Sequence, residues 1–218
     1  MNPSDFKRRG LLCVVSGPAG SGKTTLCRAF SESDAEATYA VSATTRAPRK
    51  GEADGHDYHF LTRGEFESRT TRGGFLEWAE VHKNYYGTLK SEVIDHIEAG
   101  RDVLMDIDVQ GAALIRKNAD PLIREALVDI FILPPSEDEI IARLRNRGTE
   151  SQAELDLRLH NARKEMRHWR EYDYTIISGT KQEDLATFSS ILNGERCRSH
   201  RLISKTEGDV EEQGELGM

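Results

Sequence analysis

Four apolar runs set the rhythm of the chain, and the text between them is helical or rich in glycine and polar residues. Residues 11–15 (LLCVV) are unbroken apolar between Gly10 and Gly17, the pattern of a short strand buried on both faces. Residues 24–33 then have helical composition. Residues 102–108 (DVLMDID) form a second apolar strand with an Asp-rich end, and 128–133 form a third, stopped by Pro134 and Pro135. A fourth lies at 174–178. Between the first two runs, residues 39–61 are polar, and alternation at 58–61 predicts short antiparallel strands. Residues 64–71 read as helix, 75–81 as extended chain, and 91–99 as a helix ended by Gly100. Charged amphipathic helices are expected at 137–146 and 151–168, with a closing helix at 182–193. Buried strands alternating with helices predict a parallel sheet covered on both faces, the α/β class. No internal repeat interrupts this order. From 198 to 218 the pattern stops and acidic residues dominate, which predicts a disordered acidic tail.

Composition narrows the class. The 218 residues are 37% hydrophobic and 31% charged, excluding collagen-like, low-complexity and membrane-spanning chains. With 37 acidic against 30 basic residues the net charge is -7, which argues against nucleic acid as a partner. Local clusters of cations can still hold small anions. Cys13, Cys27 and Cys197 are odd in number and have no CxxC pairing, so neither a disulfide framework nor a zinc site is expected. The first apolar run stops at Val15, short of a signal-peptide core, so a cytoplasmic location without a membrane partner is expected. His56 and His59 have no third ligand nearby and read as surface residues.

The chemistry begins at Gly17. GPAGSGKT over residues 17–24 fits G-x-x-x-x-G-K-[ST], with a strand before it and a helix after it. Gly17, Gly20 and Gly22 let backbone N–H groups wrap a phosphate at a helix N-terminus. The ATP-binding candidates are Gly17, Pro18, Ala19, Gly20, Ser21, Gly22, Lys23, Thr24 and Thr25. Lys23 supplies charge to the outer phosphates and the Thr24 hydroxyl is a ligand for Mg2+. A partner carboxylate should end another buried strand. Asp106 fits that role, through water, and Asp108, on the same face by the period of two, is left to face a second substrate.

A phosphate-binding loop alone does not choose a reaction. Residues 42–49 (SATTRAPR) place Arg46 and Arg49 three apart in a loop with a proline, suited to forked capture of a phosphate. Tyr58, Tyr85 and Tyr86 add phenolic donors. VSATTRAPRKGEADGHDYHF, FLEWAEVHKNYYGT, MDIDVQG and RLRNRGTE, in that order between about residues 11 and 192, resemble the guanylate kinase family.

That resemblance implies the three-layer fold of P-loop NTPases over residues 9–195, with a small mixed α/β GMP-binding region at about 40–100 and a helical lid at about 135–167. It implies an ATP-dependent phosphorylation of GMP and dGMP to the diphosphate with Mg2+, in purine nucleotide metabolism and GMP recycling. The GMP site would be lined by Ser42, Arg46, Arg49, Tyr58, Glu77, Tyr86, Gly87, Thr88 and Asp108. Glu77 would read guanine, whose N1–H and 2-amino group are adjacent donors that one carboxylate can accept. Ser42 and Thr88 would donate to guanine O6, and Arg46, Arg49, Tyr58 and Tyr86 would hold the 5'-phosphate. Arg143, Arg147 and Arg158 match the family's lid arginines and join Lys23 and Arg46 as catalytic candidates. The chain departs from the common pattern at Ser178 and Gly179, where many members carry an Asn associated with adenine, and at Thr88, where many carry Ser. Two alternatives stay open: a kinase of a ribose bisphosphate, which would not need Glu77, and a non-catalytic binding module, which typically has a degraded phosphate loop. The oligomeric state is open too.

Overall fold

The computed structural model describes residues 5–81, 83–118, 120–145 and 152–204, with backbone alone at 143–145 and 152–155. The chain begins with β1 (Phe6–Arg8) and the wholly buried β2 (Leu12–Ser16), followed by α1 (Lys23–Ser33) and β3 (Ala37–Tyr39). Two very short strands, β4 (Ala43–Thr44) and β5 (His59–Phe60), precede α2 (Arg63–Thr71). The hairpin β6 (Phe75–Val81) and β7 (Asn84–Leu89) leads through α3 (Ile94–Glu98) to β8 (Asp102–Asp106). Next come α4 (Val109–Arg116), α5 (Pro121–Ala126) and β9 (Leu127–Leu133). The described chain continues with α6 (Glu137–Arg145), α7 (Gln152–Met166), β10 (Tyr174–Ile177), α8 (Lys181–Arg196) and β11 (Leu202–Ser204).

The central sheet is parallel throughout, in the order β10-β9-β2-β8-β3. Its two faces explain the continuous apolar runs. Leu12 and Val14 of β2, with Val103 and Met105 of β8, pack under α3, α4 and α5 through Ile97, Ile115 and Ile123. Cys13 and Val15, with Leu104 and Ile130, pack on the other side against Phe30 of α1 and Phe188 of α8. Alternate residues of one strand thus feed two cores, and the result is the three-layer α/β fold of P-loop NTPases.

A second sheet, β5-β4-β7-β6, stands beside the first and has its own small core of Ala43, Phe66, Phe75 and Leu89. It differs from the sequence reading in one pairing: β5 runs parallel to β4, with Ala43 opposite His59, and the antiparallel partner of β4 is β7. The 14 residues between β4 and β5 (45–58) leave room for the chain to return to the same end, which a tight hairpin would not. The helices α6 and α7 pack on each other through Ile140 and Ala162. The expected strand at 102–108 ends at Asp106, because Asp108 caps α4 by accepting from Gly111 N at 2.8 Å. A further correction concerns the tail: Ser199–Arg201 form a 3-10 turn and β11 pairs antiparallel with β1, so residues up to 204 belong to the fold. Arg201 anchors that turn through Glu195 at 2.8 Å and the Glu125 carbonyl at 2.7 Å.

Candidate active site

The phosphate loop sits at the carboxyl end of β2 and bends through residues with left-handed backbone: Gly17 at φ 149°, Gly20 at 84° and Gly22 at 94°. At Gly17 a Cβ would lie 2.4 Å from the Ile132 carbonyl of β9, so glycine is required for close approach as well as for the turn. Lys23 curls back over the loop and donates to the carbonyls of Gly17 at 2.6 Å and Pro18 at 3.1 Å. Thr24 Oγ1 donates to Asp106 Oδ2 at 2.5 Å, while the Tyr39 hydroxyl donates to Asp106 Oδ1. Burial, then the charge of Asp106, pushes the Tyr39 phenol up, so it remains a donor. A hydroxyl and a carboxylate side by side are hard oxygen donors, and they suit Mg2+.

Beside Lys23 lies a cavity of about 300 Å³, walled by Ser42, Tyr58, Glu77, Tyr86, Gly87, Asp106 and Asp108 together with Gly17 and Ala19 of the loop. Glu77 of β6 is 8% exposed, and Thr88, opposite it on β7, donates to its Oε1 at 2.9 Å. Burial pushes the Glu77 carboxyl up to about 7 against the pull of that hydrogen bond, and the charge of Asp108 adds to the rise. Gly87 must be small: a Cβ there would lie 2.8 Å from both the Glu77 carbonyl and the Trp78 Cβ. The Thr88 hydroxyl thereby supports the Glu77 carboxylate in this structure.

Arg46 and Arg49 stand outside the cavity wall. The Arg46 guanidinium lies 5.3 Å over the Tyr58 ring, and Tyr58 meets Tyr86 edge-on at 6.1 Å between centroids. Arg49 is exposed at the rim. Of the lid arginines, Arg158 is half-buried on α7, Arg143 is described by backbone only in α6, and Arg147 lies outside the described residues.

Three acidic or phenolic groups of this region were not legible beforehand. Tyr39 reaches Asp106 only because β3 lies parallel beside β8. Glu165 of α7 lines the cavity with Lys23, and burial pushes its carboxyl up. A signal existed for Glu165, since Arg158, Ala162 and Glu165 fall on one helical face. Glu52, the third, holds Arg46.

On the other side of the loop a cavity of about 530 Å³ runs along Gly20, Gly22, Thr25 and Leu26 to Ser178 and Leu185. Here the unusual Ser178-Gly179 pair is fixed by Asp184 in the first turn of α8, which accepts from Ser178 Oγ and from Gly179 N, each at 2.8 Å. Two cavities flanking one phosphate loop can hold two nucleotides with their phosphates facing each other.

Known proteins agree with this geometry. The sequence profile of the family described as guanylate kinase matches residues 9–195. The guanylate kinase of Bartonella quintana (strain Toulouse) is 44% identical over 210 residues, covering 95% of this chain and 93% of its own. That of Paramagnetospirillum magneticum is 44% identical over 196 residues, 90% of each chain. The crystal structure of guanylate kinase from Anaplasma phagocytophilum superposes with a TM-score of 0.76 at 34% identity, covering 93% of this chain and 94% of the other. With the phosphate loop, the buried Glu77 and these relatives in agreement, the chain belongs to the guanylate kinase family.

Proposed function

We infer that the protein transfers the γ-phosphoryl group of ATP to GMP or dGMP, giving ADP and the guanosine diphosphate. The observation that carries this reading is Glu77: a carboxylate buried opposite Thr88 in a cavity whose far wall is the phosphate loop. Guanine offers that carboxylate two adjacent N–H donors, whereas adenine offers an N1 acceptor and leaves it unpaired. Mismatches of this kind discriminate by ~10^4 or more. The larger cavity is the place for the donor nucleoside, with its triphosphate along residues 17–25.

The chemistry asks little of the protein beyond position and charge. A phosphate oxygen of GMP bonds to the γ-phosphorus as its bond to the β-γ bridging oxygen breaks, and ADP leaves carrying that oxygen. The nucleophile is already anionic, so no general base is needed. Lys23 offsets charge on the transferred group, and Arg46, Arg49, Tyr58 and Tyr86 orient the acceptor phosphate. Thr24 and Asp106 would hold Mg2+, which when bound supplies positive charge to the phosphate oxygens. Arg143, Arg147 and Arg158 would close over the triphosphate from the lid. No helix among the described residues is long and apolar enough to cross a membrane.

The test is ADP formation from ATP and Mg2+ with GMP, dGMP, AMP, UMP, CMP and a ribose bisphosphate offered separately. Turnover confined to GMP and dGMP is expected. Turnover with the sugar phosphate alone would keep the phosphate loop and overturn the base site; silence with all six would favour a binding module.

A further inference from the structure

Glu52 faces Arg46 with both carboxylate oxygens. Arg46 Nη1 donates to Oε2 at 3.0 Å and Nη2 to Oε1 at 2.9 Å, a forked pair of the strongest kind proteins make. The backbone N–H of Arg49 donates to the same Oε2 at 2.7 Å, and Glu52 N returns a bond to the Arg49 carbonyl at 3.1 Å. One carboxylate therefore fastens both arginines of the TRAPR loop, across a turn that Gly51 makes at φ 91°. The pair is shielded, with the Arg46 side chain 15% and the Glu52 side chain 20% exposed. The remaining surroundings of Arg46 lead toward the acceptor cavity: its guanidinium lies over the ring of Tyr58, which lines that cavity beside Tyr86.

The orientation has a chemical consequence. A guanidinium presents two edges that can meet two oxygens at once, the Nη1-Nη2 end and the Nε-Nη2 side. Glu52 takes the end. What is left for a ligand is the side edge, held at a fixed angle over Tyr58. We propose that Glu52 is a positioning residue for the acceptor: it locks Arg46 by its end and Arg49 by its backbone, so the two arginines meet the 5'-phosphate of GMP as one preformed clamp. The inference rests on the reading of Arg46 and Arg49 as phosphate holders. Its carboxylate also offsets part of the clamp's charge, so the gain is in geometry and not in raw attraction.

The experiment measures kcat, KM for GMP, KM for ATP and the inhibition constant of guanosine in five proteins: the unaltered chain, Arg46→Ala, Glu52→Gln, Glu52→Asp and the double variant Arg46→Ala/Glu52→Gln. Glu52→Gln turns one acceptor into a donor that faces Arg46, and KM for GMP is expected to rise about tenfold to a hundredfold. KM for ATP and the guanosine constant should stay within about twofold, because neither involves the acceptor phosphate, and Glu52→Asp should recover part of the loss. In the Arg46→Ala background, Glu52→Gln should add almost nothing. An equal loss for guanosine and GMP would overturn the proposal in favour of a general folding role, and so would full additivity in the double variant. If Arg46→Ala raises KM for GMP while Glu52→Gln leaves it unchanged, the positioning role fails and the phosphate reading stands. If Arg46→Ala itself leaves KM unchanged, the phosphate reading falls and the proposal with it.

Discussion

At the scale of single residues, Glu77, the guanine reader in the proposed function, costs the folded chain stability. Its ordinary value is 4.5, and burial first of all raises it to about 7. In the unfolded chain it ionises near 4.5, so the fold loses stability from this group as pH rises from about 4.5 to about 7. A protonated Glu77 presents a proton to guanine N1–H, donor against donor. The affinity for GMP should therefore improve as pH rises through about 7. Glu77→Gln is expected to raise KM for GMP by about tenfold to a hundredfold, the loss of one or two charge-assisted hydrogen bonds. It should also remove the pH dependence that remains after correction for the phosphate of GMP, and leave the melting temperature at pH 8 no lower than before. Steady-state kinetics from pH 6 to 8, with a parallel thermal melt, check all three. Lys23→Ala makes the opposite separation. The ammonium donates to carbonyls of the loop, so the fold should survive while kcat falls about a thousandfold, as expected when a positioned charge is removed from a transition state.

Secondary-structure elements are tied together by charged staples that the mechanism does not use, and the best of these begins β8. Asp102 is wholly buried and accepts from Leu11 N at 2.9 Å, Arg8 Nη1 at 2.5 Å and Arg196 Nε at 2.7 Å. It joins β1, β2, β8 and the end of α8; Arg196 continues to Asp34 at 2.7 Å. Asp102→Ala leaves two guanidinium groups and one backbone N–H facing an apolar pocket. A loss of about 3 to 5 kcal/mol is expected, which for a chain of this length lowers the melting temperature by about 10 °C. KM for both nucleotides at 25 °C should not change, because the staple lies at the far end of the strands from the phosphate loop. Neither the staple nor β1 and β11 could be read from sequence. Three-residue strands carry no periodicity, and Asp102 resembles any polar strand start until Arg8 and Arg196, each 94 positions away, are brought to it. The phosphate loop and β6 were legible for the opposite reason: their signal is local, a spaced motif in one case and seven extended residues in the other. Glu52 and Tyr39 fall between these limits, since each acts through a partner that only the folded loop or the sheet register supplies.

On the proposed function, the two substrates meet different parts of the molecule. Lys23 and Thr24 begin α1 and Asp106 ends β8 of the central sheet, whereas Glu77 and Thr88 stand on the second sheet and Arg46 and Tyr58 in the loop between its strands β4 and β5. The second sheet has its own core, Phe66 stacked on Phe75 at 4.2 Å, and the α6-α7 pair has another in Ile140 and Ala162. Small separate cores can move as units without breaking the large ones, and lid motions draw on such elements. The seam has a polar part, where Arg28 of α1 donates to the His56 carbonyl at 2.8 Å and approaches Asp57 at 3.5 Å, and an apolar part, where Leu76 of β6 joins the core that holds Ala112 and Ile115 of α4. In-line transfer requires the acceptor oxygen to come within van der Waals contact of the γ-phosphorus, with water kept out. Both nucleotides together should therefore draw the region at about 40–100 and the helices at about 135–167 toward the phosphate loop. Small-angle scattering is expected to show a smaller radius of gyration with GMP and a non-hydrolysable ATP analogue than with either alone. An unchanged radius would mean that the cavities already face each other at reacting distance, and that kcat is set without domain movement.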